Sequence, residues 1–331
     1  MGFEGEQLKI TVGCCGNAGL SLRDYSEKFE AIEIQSTFYR LPSINTAENW
    51  RQQVRKDFIF TMKAFQGITH PINSPTWRKA GSQKPIEKVE NYGHLKPNEQ
   101  NFECWINTVK ICKALKAKVC VVQLPPSFIC NEENAKNIVE FFKNVEKPFA
   151  VAIELRHRSW DENQGMLEKS LKEIEAIHVV DPLVKKPFLK NKKGYYRLHG
   201  LSKRLDYRYQ YRDDELLKLL EEIKRIGCQD NFVMFNNLSM REDAIRFKEL
   251  VEDGFVSALE GKNLEDRLRI ILKGIRFPIK AKELSDKRGY LLIRVNSKTF
   301  TLSEVIKMIS SKEFNSFDEL LNLMKASLFE K

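Results

Sequence analysis

The sequence predicts an α/β fold: a (β/α)8 TIM-type barrel carrying a small C-terminal α+β appendage. Three observations lead there. Eight short β-rich runs alternate with helical stretches across residues 8–252, a count and length that suit a closed barrel. The turn after the first run reads GCCGNAG, a poor match to the GxGxxG of an open doubly wound sheet. Nearly every run after the first ends in charged or hydrogen-bonding side chains, at the end of the strand where such a barrel carries its active site.

The elements follow in order. Residues 8–14, LKITVGC, are the first strand, and Ser21 is placed to cap a helix reaching Phe29. Residues 31–36 are the second strand; Pro42 and Ser43 open a helix through Val54, and 58–64 are the third strand. The stretch 65–98 holds four prolines and three glycines without sustained periodicity, and a connection of that length is expected to be a lid. A helix at 99–116 leads to the fourth strand, 118–124, which Pro125 and Pro126 stop. A helix at 132–145 precedes the fifth strand, 149–155, and another at 162–173 precedes the sixth, 175–180. The seventh strand is 194–199. A helix at 213–226 has Asp213 and Asp214 in its first turn and Lys224 and Arg225 in its last, as the helix dipole prefers. The eighth strand is 231–235, and Ser239 is placed to cap the last helix of the alternation. Residues 264–275 are amphipathic and suit the barrel's outer ring; 289–302 read as a hairpin turning at Asn296 and Ser297, followed by helices at 303–310 and 316–328. The expected domains are thus a barrel over 1–278 with its lid at 65–98 and an appendage over 279–331.

Composition narrows the class. Hydrophobic residues make up 42% of 331, enough for a large core and against global disorder. The net charge of +10 favours anionic partners, nucleic acid or phosphorylated metabolites, although a solvated surface explains it about as well. Seven cysteines without a CxxC pair suit reduced thiols in the cytoplasm. No apolar run reaches the roughly 20 residues that span a bilayer, and no signal peptide is evident, so no membrane partner is expected. The oligomeric state is left open.

The chemistry concentrates in 149–160, FAVAIELRHRSW. Val151, Ile153 and Leu155 share one strand parity and suit a layer of covering helices. Ala152, Glu154 and Arg156 share the other, and His157, Arg158 and Trp160 follow the tip. Parity also turns Glu33, Lys63, Gln123, Arg197 and His199 inward together, with Asn236 and Asn237 ending the eighth strand. A Glu33–Lys63 or Glu154–Arg156 pair is equally what a purely structural buried charge layer requires. Seven polar strand tips together point to a pocket.

The segments EIQSTFYRLPS (33–43), FIFTMKAFQGITH (58–70), VVQLPPSF (121–128), ELRHRSW (154–160), YYRLHG (195–200) and FNN (235–237) resemble the signature blocks of the YecE-like proteins, a family without a settled reaction. The resemblance implies a TIM-type barrel and marks Glu33, Tyr39, Lys63, His70, Gln123, Glu154, Arg156, His157, Trp160, Arg197, His199, Asn236 and Asn237, among others. The first block departs from the family, with GCCGN at the tip of the first strand, and the residues beyond 255 are not covered.

The residues therefore suggest an enzyme acting on a phosphate- or sugar-bearing substrate, with a nuclease-like hydrolase of nucleic acid as the leading form. Glu33 or Glu154 would serve as general base, and His70, His157 or His199 would carry protons near neutral pH. Lys63, Arg156 and Arg197 would hold an anion, with Gln123, Tyr39, Trp160, Asn236 and Asn237 completing the substrate contacts. One divalent metal ion on Glu33, Glu154 and a histidine is open, but no tight ligand spacing argues for it. The segment 200–212, with four basic residues among three tyrosines, has the texture of a single-strand stacking surface. The alternatives are a sugar or sugar-phosphate isomerase or lyase with Lys63 as a Schiff-base amine, and a non-catalytic nucleic-acid or protein adaptor. Against the lyase, a lysine between two carboxylates is expected to stay protonated.

Overall fold

The computed structural model describes residues 8–189, 191–202, 206–295 and 298–329. Eight parallel strands form one sheet: β1 (Lys9–Cys15), β2 (Ala31–Ile34), β3 (Ile59–Lys63), β4 (Val119–Gln123), β5 (Ala150–Glu154), β6 (Ile177–His178), β7 (Lys193–Leu198) and β8 (Asp230–Phe235). Neighbours in sequence are neighbours in the sheet, and β1 pairs β8 from Lys9↔Asp230 to Cys14↔Phe235. The ring closes between β6 and β7 through a bridge at Val180↔Tyr196, where the Arg197 amide donates to the Val180 carbonyl at 3.1 Å. This is the (β/α)8 barrel that the alternation predicts.

Alternating side chains fill the ring. Cys15, Val119, Val121, Ala152, Ile177, Val179, Tyr195, Phe232 and Met234 form one buried cluster, so the parity that Ala152 shares with Glu154 is the inward one. The opposite parity of β5, Val151 and Ile153, is buried as well, as a strand covered on both faces requires. Gly13 is needed where β1 meets β2, because a Cβ there would stand 2.1 Å from the Ala31 carbonyl oxygen.

The helices start at the expected signals. Ser21 accepts from the Asp24 amide at 3.1 Å and caps Leu22–Lys28; Ser43 does the same for Thr46 and caps Ile44–Gln52. The alternation is incomplete in one place. Residues 181–192, between β6 and β7, form no helix among their described residues, although eight full beats were expected. Pro182 and Pro187 remove donors and block the α region for the residues before them, and no apolar 3.6-residue period spans the stretch. Ser239 precedes Met240–Asp253 but makes no side-chain cap. The stretch 65–98 is built from short helical turns, Gln66–Thr69, Pro75–Lys79, Gly81–Gln83 and Val89–Asn91. It is tied to itself by Gly93 N–H to Gly67 O at 2.8 Å and by the Trp77 indole N–H to His70 O at 3.1 Å.

The chain packs as two compact units, one of 1–198 with 219–236, which contains all eight strands, and one of 199–218 with 237–331. The domain boundary expected at 278/279 remains a proposal. In the second unit, Leu292–Val295 and Lys298–Thr301 form the expected hairpin, its turn at 296–297 lying outside the described residues. A second antiparallel pair, Ile279–Lys280 with Glu313–Phe314, was not anticipated. The amphipathic segment assigned to the barrel's outer ring instead puts Leu264, Leu268 and Ile271 into this unit's core with Ile293, Leu302 and Leu320. An amphipathic stripe states that a face is buried and not against what. Among the described residues no helix is long and apolar enough to cross a membrane.

Gly13→Ala is expected to lower stability by about 2 kcal/mol or more, since the backbone of β1 and β2 cannot yield as a side chain would. Urea unfolding followed by circular dichroism measures it; an unchanged midpoint would contradict the close approach.

Candidate functional site

Above the apolar cluster, the inward parity turns ionic. Arg197, second to last in β7, is 1% exposed and its guanidinium is the hub. Its Nη2 lies 3.1 Å from Glu33 Oε1, its Nη1 pairs with Glu154 Oε2, and Nη1 also donates to Gln123 Oε1 at 3.2 Å. Glu154 binds a second guanidinium through Arg156 Nε, 2.6 Å from Oε1, and Arg156 Nη2 donates to Gln123 Oε1 at 3.2 Å. Glu33 is held from below: the Tyr195 hydroxyl donates to Oε2 at 2.8 Å, Thr61 Oγ1 lies 2.7 Å from that hydroxyl, and the Cys15 thiol donates to Oε2 at 3.5 Å. The Gln35 amide donates to Glu33 Oε1. Side chains of β1 to β5 and β7, with the tip residues Gln35 and Arg156, thus lock both carboxylates onto arginines.

The electrostatics follow from burial. Desolvation alone would lower the Arg197 pKa, but Glu33 and Glu154 outweigh it and hold it well above the ordinary value. Tyr195 and Cys15 are pushed up by burial and by Glu33, so both keep their protons. Lys63, at the end of β3, behaves differently. It is 7% exposed, and among the described residues no carboxylate oxygen lies within 4.0 Å of its amine. Its nearest described partner is the face of Phe38, whose centroid is 3.7 Å from Nζ. Burial first, and then the charge of Arg197, bring its pKa from 10.5 down to about 7. The expectation of a lysine held between two carboxylates is not met: Glu33 and Glu154 are already taken by arginines, and their pull does not offset desolvation.

The remaining predicted residues divide. His70 stands edge-on to Phe38 at 4.9 Å between centroids, with Nδ1 2.8 Å from Thr69 Oγ1. Burial and Lys63 lower its pKa to about 3, so the ring stays neutral where it was expected to carry protons. Tyr39 packs against Phe38 at 5.0 Å and under Lys79 at 4.7 Å. His157 Nδ1 accepts from the Ser159 amide at 3.1 Å and lies 2.7 Å from Ser159 Oγ, fixing the first turn of Ser159–Glu162. Trp160, expected to touch substrate, is fully buried; it stacks on Phe128 and donates to its carbonyl at 2.8 Å. Asn236 is half-buried and its amide donates to Leu198 O at 2.8 Å. His199 and Asn237 belong to the second unit. There His199 lies 5.9 Å from the Tyr207 ring, and Asn237 Nδ2 donates to Tyr209 O and Asp243 at 2.7 and 2.6 Å.

The segment 200–212 is less of a stacking surface than its composition suggests. Residues 203–205 lie outside the described residues; of the rest, Arg208 pairs with Asp206, Arg212 with Glu304, Tyr209 donates to Glu215 and Tyr211 is fully buried. Tyr195 and Thr61 were not singled out as site residues. Tyr195 and Thr61 were within reach, since they share the parity of Arg197 and Lys63 one pleat below. Among the described residues, no three of His, Cys, Asp and Glu are grouped to hold a metal ion.

Comparison with known proteins agrees with the fold. UPF0759 protein YunF of Bacillus subtilis is 26% identical over 261 residues, covering 70% of this chain and 85% of that protein. The crystal structure of a DUF72 family protein from Enterococcus faecalis aligns with a TM-score of 0.56 at 22% identity, over 75% of this chain and 99% of the other. One from Thermotoga maritima aligns at 0.54 and 21% identity, over 74% and 99%. The family model described as protein of unknown function DUF72 matches residues 15–261, which include β2 to β8 and the whole Arg197 cluster, and the chain belongs to this family.

Proposed function

We propose that the protein is an enzyme acting on a hydroxylated carbonyl compound of the sugar or sugar-phosphate class, with Lys63 as its reacting amine. The observation that carries this reading is a buried lysine with no carboxylate partner among the described residues, beside two carboxylates already bound to arginines. A neutral amine adds to a carbonyl carbon; loss of water leaves a protonated imine that stabilises a carbanion on the adjacent carbon. Isomerisation then needs a proton taken from that carbon, and carbon–carbon cleavage one taken from the hydroxyl one carbon further on; the water released on imine formation accepts it and returns it to the product. Gln123 and Arg156, half-buried beside Glu154, are placed to receive hydroxyl or phosphate oxygens.

The hydrolytic reading asks for a carboxylate free to accept a proton. Glu33 and Glu154 each face a guanidinium, which favours their charged form and weakens them as bases. With two carboxylates set against two arginines, Lys63 supplies the only uncompensated charge in the described cluster. A polyanionic strand gains little there, so support for nucleic acid rests on the chain's net charge of +10. The narrower YecE-like label rests on the signature blocks in the sequence.

Borohydride added with ribose 5-phosphate, fructose 6-phosphate or the corresponding free sugars is expected to fix one adduct on Lys63, seen by peptide mass spectrometry. No adduct on Lys63 across the panel sinks the proposal; tight DNA or RNA binding that falls steeply with log salt favours the nucleic-acid reading in its place.

Lys63 also sets a pH dependence. Between about pH 7 and 10.5 the unfolded chain holds this proton and the folded chain has released it, so its contribution to stability rises with pH across that window. Below about pH 7 the amine is charged in both states and its burial cost is fully present. Lys63→Met is expected to remove this slope and leave the fold equally stable or up to about 3 kcal/mol more stable. Arg197→Met, by contrast, strands Glu33 while Glu154 keeps Arg156, and is expected to cost about 3–5 kcal/mol. Thermal unfolding of both variants from pH 6 to 10 reads the two outcomes; a Lys63→Met protein weaker than the parent at pH 6 contradicts the account.

A further inference from the structure

At the opposite end of the barrel the missing helix has a consequence. β6 pairs β5 only at Ala152↔Ile177 and Ile153↔His178, so the first residues of β5 have no strand on that side. The chain reverses at Glu175 with φ +57°, and Leu189, Asn191, Lys192 and Lys193 line the opening as it returns to β7. A cavity of about 900 Å³ results. Its floor is Phe149, Ala150, Val151, Ile174, Ile177 and Leu189; its rim is Lys147, Lys172, Lys192, Lys193, Asn191 and Glu175.

Exposed lysines are usually no more than a solvated face. These four share one concave edge, and among the described residues none has a carboxylate within ion-pair distance. Lysines close by in the chain do: Lys143 pairs with Glu173 and Lys185 with Asp161. The Lys147 ammonium donates to Ile174 O at 3.4 Å, which turns it to the cavity's edge. The Asn191 amide donates to Ala176 O at 2.8 Å and anchors the returning chain beside the opening.

We propose that this cavity is a second ligand site, distinct from the Arg197 cluster, for a small organic phosphate with a flat apolar body. The apolar floor takes the flat body, and the lysines face two or more phosphate charges, which a single carboxylate would leave under-used. The volume falls within the range of small-molecule pockets, roughly 300–1,000 Å³. A concave cleft with one open edge suits a small molecule better than a strand of nucleic acid, which would need a groove running past it.

ADP is the probe, followed by titration calorimetry on the full chain. The expected result is saturable binding that weakens with salt, with adenosine and pyrophosphate each binding at least about tenfold more weakly than ADP. Lys172→Glu with Lys193→Glu reverses two exposed rim charges and is expected to weaken ADP by about tenfold or more. Ala150→Trp fills the floor and is expected to abolish binding, with circular dichroism confirming the fold of each variant. Lys63→Met should leave ADP binding unchanged. The proposal is overturned by no ADP binding at millimolar concentration, by equal binding of pyrophosphate alone, by insensitivity to the rim reversal, or by loss in Lys63→Met. An oligonucleotide that displaces ADP with the same lysine dependence also overturns it, because the surface would then be reading a polyanion.

Discussion

Arg197 is the constraint on which the upper half of the barrel depends. A guanidinium that is 1% exposed can remain charged only if opposite charges meet it at hydrogen-bonding distance from fixed positions. Glu33 comes from β2 and Glu154 from β5, so one side chain of β7 ties three strands that are not neighbours in the ring. Each carboxylate is then secured from its other side, Glu33 by Tyr195 and Gln35, Glu154 by Arg156. The result is a rigid ionic layer on top of an apolar one, and a polar network in that position fixes geometry more than it adds stability.

That same locking leaves Lys63 without a carboxylate. Were Glu33 free to turn, its proximity would restore an ordinary ammonium. With Glu33 fixed on Arg197 at 3.1 Å, the amine meets a ring face and two guanidinium charges, and desolvation decides its protonation. His70 shows the same balance on a different group. Its ring is buried near Phe38, and burial, with the charge of Lys63, keeps it neutral. The hub and the reactive candidate are therefore one arrangement seen from two sides.

Much of this was legible in the residues. A two-residue period, strand ends marked by proline or charge, and Ser21 and Ser43 as caps locate the eight barrel strands and the helices those serines cap to within two positions, because local geometry determines them. The same period turns Glu33, Lys63, Gln123, Glu154 and Arg197 inward correctly. It stops working where a strand ends. His157 and Trp160 lie beyond β5 in a helical turn, where parity carries no direction, and they pack onto Ser159 and Phe128 instead. Partner choice was half legible: Glu154–Arg156 forms as considered, whereas Glu33 takes Arg197, which is 164 residues away in sequence, over Lys63. The packing partner of residues 264–271 was illegible for a related reason, since a stripe shows burial without showing the other surface.

The charge balance bears on whether this layer is merely structural. A buried ionic network that serves only the fold is stable when each cation has its anion, and Glu33, Glu154, Arg197 and Arg156 already meet that condition as a closed set. Lys63 adds a fifth ionisable group that the set does not need. Its aliphatic stem would pack as well if it ended in a methyl group, and the amine adds a desolvation cost that a methionine would not incur. Contact with the Phe38 face returns on the order of 1–2 kcal/mol, less than burying an unpaired ammonium costs. A group that weakens the fold at the mouth of a barrel, and titrates near neutral pH because it does, is better explained by chemistry than by packing.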